Sequence, residues 1–197
     1  MTRRFLTLIL LFSTIIAGVA QEKPYSLFNG KDLKNWTQTG KAFVVAENTI
    51  QSQGRDEYLF LKENKLFENF ELSCDVMTEK GSMADILFHT QSIKDKEKPK
   101  GYAIRIKNTY DGYGSGEKLK LTGSIDCIRN IYFPFVKDNE WFNLKIQVEG
   151  KQIRILVNDK ILSEYYEPYN AWRPDDLKDR FWIKVHSVFT VSKAKWP

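Results

Sequence analysis

Trp141-Phe-Asn-Leu-Lys-Ile-Gln-Val148 turns at Glu149-Gly150 and returns as Gln152-Ile-Arg-Ile-Leu-Val157. Apolar residues alternate with polar ones on both runs, the period of a strand with one face on a core. Asn158-Asp159 then forms a two-residue turn into Lys160-Ile-Leu-Ser-Glu-Tyr165, so the stretch reads as a three-strand antiparallel meander. Trp141 is expected in the core. Upstream, Phe70, Leu72, Cys74 and Val76 alternate with Glu71, Ser73, Asp75 and Met77. Phe43-Val-Val45, Thr49-Ile-Gln51 and Tyr58-Leu-Phe-Leu61 add shorter runs between Gly, Asn, Asp and Lys turns. No segment sustains helical periodicity, and no repeat, low-complexity tract or domain linker interrupts the pattern. The fold class expected is all-β, a sandwich.

Gly81-Ser-Met-Ala-Asp-Ile-Leu-Phe-His-Thr-Gln91 and Gly101-Tyr-Ala-Ile-Arg-Ile-Lys-Asn108 carry the chemistry. Read as strands, they send Ala84, Ile86, Phe88, Tyr102, Ile104 and Ile106 one way. Asp85, Leu87, His89, Arg105 and Lys107 point the other way. Two adjacent strands with an acid, a histidine and two cations on one face suggest a binding or catalytic surface. Two loops flank them: the Gly-rich Asn108–Glu117 with Tyr110 and Tyr113, and the aromatic, Pro-bounded Glu167–Asp176 with Trp172. The glycines lack phosphate-loop spacing.

The first residues read as a leader. Met1-Thr-Arg-Arg4 is positive, Phe5 to Ala17 is apolar, and Gly18-Val-Ala20 offers small residues for cleavage before Gln21. Residues 1–20 are thus expected to be a cleaved signal peptide, and 21–197 one domain, exported to the periplasm or beyond. The apolar run is shorter than the ~20 residues of a membrane span. Removing Arg3 and Arg4 lowers the 30 basic residues to 28 against 25 acidic ones, a net charge of +3. These charges are interspersed, which argues against a nucleic-acid surface. Cys74 and Cys127 are equally readable as a disulfide or as reduced thiols.

Tyr25-Ser-Leu-Phe-Asn-Gly-Lys-Asp-Leu-Lys-Asn-Trp36 resembles the opening of the 3-keto-disaccharide hydrolase family. Further matches follow in family order over about residues 25–180. They are Phe67-Glu-Asn-Phe-Glu-Leu72, Ile86-Leu-Phe88, Gly101–Ile106, Leu121-Thr-Gly-Ser-Ile125, Glu140-Trp-Phe-Asn143, Val157-Asn-Asp-Lys-Ile161 and Trp172-Arg-Pro174. The resemblance implies a concanavalin A-like (LamG-like) jelly-roll sandwich of two antiparallel sheets with a glycan-binding concave face. It also implies an exported protein that cleaves 3-keto-glycosides, with carbohydrate as partner. The alternative on the same fold is a non-catalytic carbohydrate-binding module.

Such a substrate needs a base for its C2 proton, a stabiliser for the enolate oxygen and an acid for the leaving group. The expected catalytic set is Asp85, His89 and Arg105. The expected substrate-binding set is Lys107, Asn108, Tyr110, Asp126, Arg129, Trp172 and Arg173, with Tyr113 a further helper. The bland readings are a solvated Asp85–His89 face, local pairs for Arg105, Lys107, Asp126 and Arg129, and core burial for Trp36. A divalent cation on Asp85, His89 and Asp126 would polarise the ketone, although no ligand spacing marks a metal site. Met83-Ala-Asp85 and His89 replace the family's commoner Asn-Ser-Gly and Arg.

Beyond Phe181 the resemblance stops. One extra thymine after the Phe181 codon would turn Trp182–Ser187 into Leu-Asp-Lys-Gly-Thr-Phe, restoring the family's Gly-x-Phe. The expectation is therefore that a single-base deletion replaced the native tail after about Phe181; it would make His186 an accident of the frame and leave the sheet without its closing strand.

Overall fold

The computed structural model describes residues 24–54, 57–62, 67–90, 99, 101–112, 116–175 and 190–195. The leader, Tyr113, Phe181 and His186 lie outside these residues. Apart from a 3-10 turn at Gly116–Leu119, every regular element described is a strand.

The meander forms as its pattern dictates. β8 (Phe142–Glu149) pairs with β9 (Gln152–Val157), and β9 pairs with β10 (Lys160–Tyr166), all antiparallel. Asn158 and Asp159 both adopt positive φ, 47° and 61°, the conformation a two-residue hairpin turn requires. β5 (Phe70–Val76) completes a four-stranded sheet in the order β10-β9-β8-β5. The second sheet contains β1 (Trp36–Gln38), β4 (Tyr58–Leu61), β6 (Ser82–Phe88), β7 (Tyr102–Ile106) and β11 (Thr190–Lys195), ordered β1-β4-β11-β6-β7. β2 (Phe43–Ala46) and β3 (Thr49–Ser52) form a separate hairpin.

One core lies between the sheets. Ile86, Phe88, Tyr102, Ile104 and Ile106 meet Phe142, Leu144, Ile146, Val148, Ile153, Ile155 and Val157. Each fully buried Ile, Leu or Val here is worth about 1.5–3 kcal/mol. Trp36 is also core. Trp141, expected there, is exposed instead: β8 starts at Phe142, and the alternation places Phe142 inside.

β11 corrects a second expectation. The tail does not leave a gap, because Thr190–Lys195 pairs with β4 on one side and with β6 on the other, with Ser192 opposite Asp85. Its backbone groups close the ladder that would otherwise offer two raw edges.

Both cysteines are reduced thiols. Desolvation, with the Asp75 charge a smaller second cause, pushes the Cys74 thiol up to about 12, so it stays protonated and inert.

Candidate functional site

The sheet register brings the expected acid and cation together. Asp85 on β6 stands directly opposite Arg105 on β7, and Arg105 Nε lies 2.8 Å from Asp85 Oδ1. The Arg105 side chain is buried, at 6% exposure, while Asp85 keeps 21%. Both sit on the face of the five-stranded sheet turned away from the core. Arg105 also donates to the Met83 sulfur, two residues before Asp85 on the same face. Lys107 is the next residue of that face, and its Nζ lies 2.7 Å from Asp111.

Residues 121–126 run beside β7 and fix its flank. Arg105 N donates to Ser124 O, Thr122 N to Lys107 O and Asp126 N to Ala103 O, each at 2.9 Å. Gly123 sits at φ 92°, and its carbonyl accepts from the Ser163 hydroxyl. Ser163 can reach it because β10 shifts register between Ile161 and Ser163. Asp126 falls opposite Ala103, on the Arg105 side, and pairs with Lys120 at 2.8 Å. Arg129 is exposed on the return of this turn.

Three expected site residues are placed elsewhere. His89 does not share the Asp85 face, because β6 ends at Phe88 and His89 takes φ 48°, which breaks the two-residue period. Its ring is buried edge-on against Phe70, Phe88 and Tyr102. Nearby Gly101 is required because a Cβ there would lie 2.6 Å from the Phe88 carbonyl oxygen.

Neither His89 ring nitrogen has a well-aligned hydrogen bond among the described residues. Burial pushes its pKa down, outweighing the backbone at Glu68 and Phe67 that favours the charged form. The unfolded chain therefore binds this proton more readily than the fold does, below about pH 6.5. Stability should be full above that pH and decline as pH falls through the folded value. A pH series of chemical melts checks this: the decline should shrink in His89→Phe, and an unchanged slope would contradict it.

Asn108 is likewise committed. Its amide nitrogen donates to Thr78 Oγ1 at 2.8 Å, and its oxygen accepts from Thr122. Thr78 and Thr109 in turn donate to the Asp138 carboxylate. The Arg173 side chain is only 6% exposed, its Nη2 2.9 Å from the Tyr165 hydroxyl and 3.5 Å from Glu167 Oε2. Tyr102 donates to that same carboxylate oxygen. Burial, then the hydrogen bond and charge of Glu167, push the Tyr102 pKa up. Asn108 and Arg173 thus hold loops in place, although the neighbouring Trp172 is 81% exposed.

A model of the 3-keto-alpha-glucoside-1,2-lyase-like domain matches residues 23–189. The chain belongs to this family. Its fold is the concanavalin-like sandwich. A glycosyl hydrolase candidate from Parabacteroides distasonis superposes with TM-score 0.70 at 17% identity, covering 87% of this chain and 93% of that one. A second from the same organism gives 0.66 at 21%, covering 84% and 88%. A carbohydrate-binding module from Bacillus subtilis gives 0.52 at 14%, covering 82% and 92%. No curated protein matches the chain in sequence.

Among the described residues, no group of three His, Cys, Asp or Glu is placed to hold a metal ion, and Asp85, His89 and Asp126 do not converge. The segment that sequence reasoning passed over is Asn130-Ile-Tyr-Phe-Pro-Phe-Val136. Tyr132, Phe133 and Phe135 are all exposed, and Phe133 stacks on Tyr110 at 6.5 Å and 22°. The available signal was an aromatic run broken by Pro134 with no strand alternation.

Proposed function

We propose that this protein cleaves 3-keto-glycosides by elimination across C1 and C2, after export from the cytoplasm. The observation that carries the reading is the Asp85–Arg105 pair, a carboxylate and a guanidinium 2.8 Å apart on the outward sheet face. Family membership supports this substrate class. The C3 ketone acidifies the C2 hydrogen. Asp85 takes that proton, and the electron pair forms an enolate whose oxygen is held by Arg105. A guanidinium has five donors, so it can hold the carboxylate and the enolate oxygen together. Collapse of the enolate forms the C1–C2 double bond and breaks the bond from C1 to the glycosidic oxygen. That oxygen leaves as an alcohol, with the proton Asp85 has just taken. Water adding across the enone then completes a net hydrolysis. Lys107 contributes a second cation to this face.

The test is incubation with a panel of 3-keto-glucosides, with and without a chelator, following enone absorbance and released alcohol. Cleavage of at least one is expected. No cleavage of any would overturn the reading in favour of a carbohydrate-binding module. The exposure of Trp172 and Tyr169 favours that second reading, and it predicts that Trp172→Ala abolishes sugar binding.

A further inference from the structure

The end of the sandwich beyond Lys107 carries a concentration of exposed aromatic surface. Tyr132, Phe133 and Phe135 are more than half exposed, and Phe133 stacks on Tyr110. These rings lie on short loops that are unusually well tied. Ile131 N donates to Ser124 Oγ, and Leu121 N to Ile131 O. Past the loop, Asp138 accepts from Thr78 and Thr109, while Asn108 donates to Lys137 O. A surface aromatic costs free energy in water, and a loop held by partly buried hydrogen bonds at both ends cannot readily fold it away. Beside the stacked pair lies a depression of about 360 Å³ lined by Lys80, Tyr110, Pro134, Lys137, Asp138 and Asn139.

We infer that this platform is a second carbohydrate site, which seats a neutral sugar ring of the glycoside beyond the bond being cleaved. Three observations select that occupant. The wall offers flat aromatic faces, which suit the apolar C–H surface of a pyranose, next to amide, ammonium and carboxylate groups, which suit its hydroxyls. Lys80 and Lys137 are offset by Asp138, so the lining is not the basic surface an acidic polymer would need. Tyr110 lies in the loop closed by the Lys107–Asp111 pair, so the platform begins where the strand that carries Arg105 ends. Rings held in place before binding lose little entropy when a sugar stacks on them.

The ligand class is taken from the proposed function, but the test reads binding without turnover. Titrating maltose, cellobiose and their oligomers up to hexamers should show binding by calorimetry. Phe133→Ala and Tyr110→Ala should each weaken it roughly five- to tenfold, and Phe133→Tyr should retain it. Phe133 is 76% exposed, so the variant should melt like the parent. A protein that binds these oligomers without cleaving any keto-glycoside would remove the lyase reading and keep the platform. Unchanged affinity in Phe133→Ala and Tyr110→Ala would overturn the platform and leave the lyase reading standing. Loss of self-association in those variants, with no sugar bound by the parent, would assign the surface to a second copy of the chain and also overturn it.

Discussion

Asp85→Asn should lower turnover of a 3-keto-glycoside by about 10²–10⁴, the range a positioned general base supplies. The amide keeps the shape and cannot take the C2 proton. The same change removes the Asp85 charge from beside Arg105, which is the more buried partner. Some stability is therefore lost as well, because a buried charge that loses an ion-pair partner costs more than the intact pair contributed. A loss of activity alone would not separate the two causes. Assay of Asp85→Asn well below its melting temperature does: turnover lost in a variant still folded by circular dichroism assigns Asp85 to the reaction, and normal turnover there would show that Asp85 only supports the fold. The double variant Asp85→Asn/Arg105→Gln, which removes both charges, should melt closer to the parent. In the parent, Arg105→Lys should lower kcat more than it raises KM, since a point ammonium cannot bridge carboxylate and enolate as a planar fork does.

The outward face itself was legible because it follows from alternation. Ile86 and Ile104 oppose each other in the core, and this forces Asp85 and Arg105 to oppose each other outside. The meander was legible for the same reason, together with Asn158-Asp159 at its turn. Alternation also marks its own limits. It was extended one residue too far at the end of β6, to His89, where a positive φ turned the ring into the aromatic cluster. Trp141 was expected in the core against the alternation, which puts Phe142 inside and its neighbour outside. The structural partners of Asn108 and Arg173 were not legible for another reason. A polar residue in a loop looks available until its distant partners are known, and these are Thr78 and Thr122, Tyr165 and Glu167. The seat of β11 between β4 and β6 is likewise a matter of sheet order, which no local pattern encodes.

Glu167 sits where two of those distant contacts meet, and its loss should be among the most damaging single changes in the chain. Its carboxylate accepts from Tyr102 and lies 3.5 Å from Arg173, and both charged side chains are only 6% exposed. Glu167 N also donates to Lys151 O, tying the loop to the start of β9. The Arg173 guanidinium is held 5.7 Å over the Tyr165 ring, a cation–π contact that keeps the charge in place. Removing one partner of a buried ion pair costs about 3–5 kcal/mol, because the other charge remains buried and uncompensated. Glu167→Gln and Arg173→Met should each lose that much in urea melts. The double variant should lose clearly less than the sum, since it removes both charges together, and a coupling of about 0.5–3 kcal/mol is expected from residues in direct contact. Strictly additive effects would mean that the two charges do not stabilise one another. Either single variant should also free the loop that carries Tyr169 and Trp172, so limited proteolysis should cut there first. A loop still resistant in Glu167→Gln would show that its other contacts suffice to hold it.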